Sequence, residues 1–147
     1  MNLSERLNED MKALMKSGDK FALTVVRMIR SAVKNAEIDA RKALDDEEVM
    51  DILTREVKQR RDALQEFEKA GRQDLVDQAK AELEVIQRYM PQPLTDEELT
   101  GIVQETIQEV GASSKADMGK VMSALMPKVK GRADGKQVNA AVQRLLV

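Results

Sequence analysis

Apolar residues in this chain recur at intervals of three and four almost from end to end. Nowhere do they alternate over the four to eight positions that a half-buried strand between hairpin turns requires. Val49, Leu53, Val57, Arg60, Leu64 and Phe67 step by 4, 4, 3, 4 and 3, and Leu75, Ala79, Leu83, Ile86 and Met90 by 4, 4, 3 and 4. This periodicity predicts an all-α fold. Composition agrees: the aromatics are only Phe21, Phe67 and Tyr89, the other apolar residues are Ala, Leu, Val, Ile and nine Met, and 34% of the chain is charged. Those are the residues of amphipathic helices.

Start and stop signals divide the pattern into seven helices. Asn2, with Glu5 as its capping-box partner, starts a first helix carrying Leu3, Leu7, Met11, Leu14 and Met15, and Gly18 suits its left-handed stop. A second runs from about Lys20 to Lys42 with a stripe of Phe21, Val25, Met28, Ile29, Ala32, Val33 and Ala36. Asp45 or Asp46 caps the third, whose near-heptad seam is interrupted by one charge, Arg60. Gly71 separates it from the fourth, which begins near Asp74, and these two form an antiparallel hairpin.

Pro91-Gln92-Pro93 is the clearest boundary, because two prolines so close cannot continue a helix. The expected organisation is a four-helix N-terminal domain over 1–92 and a small three-helix C-terminal domain over 93–147. In the latter, Thr95 with Glu98 caps a fifth helix ending at Gly111. Ser114 with Asp117 caps a sixth that turns Met118, Val121, Met122 and Leu125 inward and stops at Pro127. A basic, glycine-containing loop then spans Lys128 to Lys136. Asp134 or Gly135 begins the last helix, with Val138, Ala141, Val142 and Leu145 on its apolar face.

Several chemistries are excluded. With 24 basic and 26 acidic residues, net charge −2, the chain is not a uniformly basic nucleic-acid binder. It has no Cys and no His, which removes thiol nucleophiles, Ser–His–Asp triads and ordinary zinc sites. No phosphate-binding loop or dinucleotide fingerprint occurs. Ser113-Ser114-Lys115 does not read as a catalytic pair, since the lysine would need burial to act as a base. The four acids Asp45 to Glu48 read as helix-starting carboxylates before they read as a Mg²⁺ site, and Met118, Met122 and Met126 as core filler. No catalytic residue, metal or cofactor is assigned. No stretch reaches the roughly 20 apolar residues that span a bilayer. Met1 to Asp10 has no signal-peptide core, and a soluble cytoplasmic protein is expected.

Charge is segregated near the C-terminus. Residues 95–110 hold five acids and no base, whereas residues 111–147 hold seven bases and two acids. Lys115, Lys120, Lys128, Lys130, Arg132 and Lys136 are the candidate RNA-binding residues. Gly131 and Gly135 would let a phosphate approach the backbone, and helix N-termini near Ser114 and Asp134 would add positive dipole ends. The competing reading is an ordinary solvated face. A helix-turn-helix reading of the last two helices meets a connection longer than the usual turn. Lys58-Gln59-Arg60-Arg61 reads as an exposed helix face or a second basic contact.

The segments Glu82 to Leu99, Gly111 to Met122 and Met126 to Asn139, together with Leu23 to Ile29, resemble the YqeY family. The resemblance covers essentially the whole chain. That family is in turn similar to the C-terminal helical and tail regions of GatB, the B subunit of the tRNA-dependent amidotransferase. It implies a stand-alone, tail-like module that holds tRNA or another structured RNA, with Lys128 to Lys136 as the carried-over contact. The catalytic core of GatB has no counterpart here, so carbon–nitrogen ligase chemistry with glutamine as amide donor is implied only through the larger enzyme. The alternative is a helical adaptor for an amidotransferase subunit or translation factor, docking through the hairpin of the third and fourth helices.

Overall fold

Local capping signals set most of the helix starts. A computed structural model describes residues 1–146 and contains seven α-helices: α1 (Leu3–Ser17), α2 (Lys20–Ala40), α3 (Asp46–Lys69), α4 (Gln73–Gln87), α5 (Asp96–Val110), α6 (Met118–Val129) and α7 (Gly135–Leu145). There is no strand among the described residues, so the fold is all-α. Val147, the last residue of the expected C-terminal domain, lies outside the described residues. Complete capping boxes form at Asn2/Glu5, Asp45/Glu48 and Thr95/Glu98. Two are reinforced by apolar pairs flanking the cap, Leu44 with Val49 and Leu94 with Leu99, each pair within one core. Gly18 and Gly111 end α1 and α5 in the left-handed conformation.

The chain divides into two compact units, Met1–Met90 and Pro91–Val147. The first holds α1 to α4 around Leu7, Val26, Ile29, Val49, Leu53 and Ile86, all essentially fully buried. Arg60, the charge in the apolar seam of α3, lies inside this unit with its side chain only 12% exposed. Its guanidinium donates to Glu56 at 2.6 Å and to Glu82 of α4 at 2.9 Å. Such a triad persists in a half-buried site because one guanidinium bridges both carboxylates through direct hydrogen bonds. At the end of α4, the buried Tyr89 donates its phenol proton to Asp10 of α1 at 2.6 Å, and the Arg6 guanidinium stacks on its ring. Burial, and then the neighbouring Asp10 carboxylate, push the phenol up, which keeps it a donor.

Stripes on three helices differ from expectation. On α1 Met15 is 55% exposed; on α2 Phe21 is 42% exposed, while Ala22 and Val26 take buried positions. On α4, Val76 and Val85 join the core and Leu75 is only half-buried. On α2 and α4 the expected Val25, Ile29 and Val33, and Ala79, Leu83 and Ile86, are buried; the arc is wider than one stripe because it must face more than one neighbour.

In the second unit, α5, α6 and α7 enclose Leu99, Val103, Val121, Leu125, Val129, Val138 and Val142. Two boundaries are corrected here. Ser114 makes no side-chain cap; a short 3-10 turn, Lys115–Asp117, precedes α6, and the Asp117 carboxylate reaches back to accept the Ser113 N–H at 2.9 Å. Pro127 does not stop α6 but sits in its last turn. The missing N–H forfeits only the bond to the Ser123 carbonyl, and fully burying Val129 two residues later offsets that loss.

Candidate nucleic-acid interface

The extension of α6 past Pro127 changes the basic loop. Lys128 lies in the last helical turn, and the non-helical connection shortens to Lys130–Asp134 before α7 begins. Gly131 takes φ +78°, where a side chain would be strained, and lets the chain reverse. Asp134 caps α7, its carboxylate accepting the Gln137 N–H at 2.7 Å. The turn is thus held from within.

The six sequence-predicted residues fall into two groups at opposite ends of α6, a helix of 12 residues and about 18 Å. Lys115 is in the 3-10 turn and Lys120 in the first turn of α6; both are exposed. Lys128, Lys130, Arg132 and Lys136 come together at the other end. Within that second group the roles divide. Lys128 Nζ lies 2.6 Å from Glu109 and 3.0 Å from the hydroxyl of the fully buried Thr106, fastening α6 to α5. Arg132 donates to the Gln92 carbonyl at 3.0 Å, approaches Glu98 at 3.8 Å, and its own carbonyl accepts the Leu94 N–H at 2.8 Å. It fastens the segment before α5 to the turn. Arg144 reaches Thr100 of α5 at 3.2 Å. Lys130, on the turn, and Lys136, at the start of α7, are exposed to solvent.

The acids of α5 therefore lie over the basic segment. Residues 91–147 carry seven bases and seven acids, so this unit has no net charge. The Thr95 cap, and to a lesser extent Arg132, hold the Glu98 carboxyl below its usual range. The Ser113 N–H does the same for Asp117, with help from Lys120.

The other candidate clusters resolve into structural contacts. Asp45 and Glu48 form a capping box, and Asp46 accepts the Leu3 N–H at 2.8 Å. No trio of metal-ligating side chains occurs among the described residues. Arg60 is held, half-buried, in its triad. One group of cations escapes a reading built on apolar periodicity: Lys20, Arg27 and Lys34, exposed on the outer face of α2. The legible signal is a 17-residue run, Lys20 to Ala36, with four bases and no acid. No helix among the described residues is long and apolar enough to cross a membrane.

Comparison with known proteins places the chain. The family model for Yqey-like proteins matches residues 4–146. The chain is 30% identical over 144 residues to "Altered inheritance of mitochondria protein 41, mitochondrial" of Pyrenophora tritici-repentis, covering 96% of this chain and 79% of the relative. It is 35% identical over 111 residues to the protein of the same name from Lachancea thermotolerans, covering 74% and 59%, and 29% identical over 133 residues to that of Saccharomyces cerevisiae, covering 90% and 63%. The last two relatives are thus spanned over about three-fifths of their own length. Their names overturn the cytoplasmic expectation, since these are mitochondrial proteins. The lack of an apolar leader core speaks only of secretory signals, whereas mitochondrial targeting segments are amphipathic, and a cysteine-free composition does not distinguish compartments. With a match over nearly all of its residues, the chain belongs to the Yqey-like protein family.

Proposed function

We propose that the chain is a helical module that holds structured RNA, tRNA first, by gripping its phosphate backbone, and that it is related to the tRNA-dependent amidotransferase machinery. The observation that carries this reading is the Lys130–Asp134 turn, whose shape is fixed by internal bonds, with the exposed Lys130 on it and the exposed Lys136 in the first turn of α7. A pre-shaped cationic turn loses little conformational freedom when it meets a phosphate. The resemblance to the tail of GatB supports the choice of RNA. Lys115 and Lys120 add contacts at the far end of α6, while Lys128 and Arg132 shape the surface rather than lead the grip.

The experiment is fluorescence anisotropy of the full chain with a labelled tRNA pool across salt concentrations. Lys130→Gln with Lys136→Gln should flatten the dependence of log affinity on log salt by about two units of slope while the variant stays folded. An unchanged slope in a folded variant would overturn the assignment of this turn. If no tRNA binds at low salt, the adaptor reading takes its place.

A further inference from the structure

We infer that the outer face of α2, carried by Lys20, Arg27 and Lys34, is a second and independent surface for a phosphodiester backbone. The ligand class rests on the RNA reading above; the surface itself does not use the C-terminal turn.

The three cations are seven residues apart, so they stand about 10.5 Å from one another along the helix and drift by only about 20° per step. They form one line about 21 Å long. Thr24 and Ser31 lie between them on the same face. The opposite face is the buried stripe of Ala22, Val25, Ile29 and Val33, so the cations are fixed on a rigid support. All three are exposed, and none lies within 4.0 Å of a carboxylate among the described residues.

Exposed helix faces elsewhere in this unit intersperse both signs and pair them: Lys12 with Glu9, Lys69 with Glu66, Arg88 with Glu84. Such pairing is the ordinary way a solvated helix gains a few tenths of a kcal/mol per pair. On α2 the acids are confined to its far end, at Glu37 and Asp39, and Glu37 is turned to accept the Leu44 N–H. The face from Lys20 to Lys34 therefore leaves this source of helix stability unused and presents one sign only, in a chain whose net charge is −2.

Phosphodiester fits this face better than protein does. A protein partner needs an apolar anchor near the centre of the contact. Here the centre is Arg27 flanked by hydroxyls; Ile38, 70% exposed, lies a turn beyond Lys34, and Phe21 lies about 100° round the helix. A phosphate backbone needs only exposed cations, whose binding releases counterions.

The test uses the full chain and a labelled duplex RNA of arbitrary sequence. Three variants are compared with the parent: Lys20→Gln/Arg27→Gln/Lys34→Gln, Lys130→Gln/Lys136→Gln, and a charge-matched control, Lys12→Gln/Lys69→Gln/Lys80→Gln, in the same unit. Gln is close to Lys and Arg in helix propensity, and far-UV circular dichroism checks that each variant is folded. The α2 variant should lose two to three units of the salt slope, and about ten- to a hundredfold in affinity at low salt. The control should lose much less. Equal losses in the control and the α2 variant would show an effect of net charge alone and overturn the surface. An α2 variant that binds like the parent, beside a weakened Lys130/Lys136 variant, would overturn the α2 surface and leave the RNA reading standing. The reverse pattern would support α2 and remove the C-terminal turn. A parent that binds neither duplex RNA nor tRNA at low salt would overturn both.

Discussion

Lys128 and Lys136 carry the same charge eight residues apart, yet only one of them is turned outward without an acid against it. Lys128 is held by Glu109 and Thr106, partners 19 and 22 positions away in sequence. Lys128→Glu would set a second carboxylate against Glu109 and leave the Thr106 hydroxyl without its donor. It should cost about 1 kcal/mol in chemical denaturation, and Lys136→Glu almost nothing. Equal stability of the two variants would contradict the division of roles. Tyr89 makes the same point across 79 positions. Tyr89→Phe keeps the packing and loses the bond to Asp10, and should destabilise by about 1 kcal/mol in the same measurement. Residue type and spacing name a cation or a phenol as a candidate, but only the fold says which carboxylate it meets. The six candidate cations were therefore legible as residues, and their engagement was not.

At the scale of elements, what was legible is what is local. A capping box closes within three residues, so Asn2/Glu5 and Thr95/Glu98 could be read directly, as could the glycine stops at Gly18 and Gly111. At Ser114 and Pro127 the simplest local signal gives way: the Asp117 carboxylate, four residues on, folds back on the Ser113 N–H, and burial of Val129 draws the last turn of α6 into the core. Arg60 looked like a break in a seam and is the joint of α2, α3 and α4, touching Met28, Glu56 and Glu82. Arg60→Met leaves two carboxylates facing each other in a half-buried site. It should destabilise by about 2–4 kcal/mol, whereas adding Glu56→Gln and Glu82→Gln should recover much of that loss. No recovery in the triple variant would mean that packing of the arginine stem, rather than charge, carries the effect. The carboxyls of Glu98 and Asp117 sit below their ordinary values in the folded chain. Each therefore stabilises the fold fully above about pH 5, and that contribution is lost as the pH falls through the depressed values. Thermal scans from pH 6 down to about pH 3 should show falling stability, less steeply in Glu98→Gln.

For the whole molecule, net charge is a poor guide to where an anion could bind. The chain totals −2, and its C-terminal unit totals zero although residues 111–147 alone total +5. Folding lays the acids of α5 against part of that excess, through Glu109 and Glu98. Linear charge arithmetic counts Lys128 and Arg132 as available, although the fold engages both with α5 or the segment before it; on α2 the run Lys20 to Ala36 holds four bases and no acid. The all-α class was legible because periodicity reports burial, and burial dominates a fold of this size. The cationic line on α2 lies on the face that an apolar pattern leaves out.

The central claim is that this chain holds folded RNA by its phosphates. The most direct measurement is equilibrium binding of a labelled tRNA pool to the full chain from about 50 mM to about 200 mM salt. Saturable binding that weakens by roughly a hundredfold over that range is the result expected of about four phosphate contacts. Absence of saturable binding at the lowest salt, with the chain folded, would contradict it.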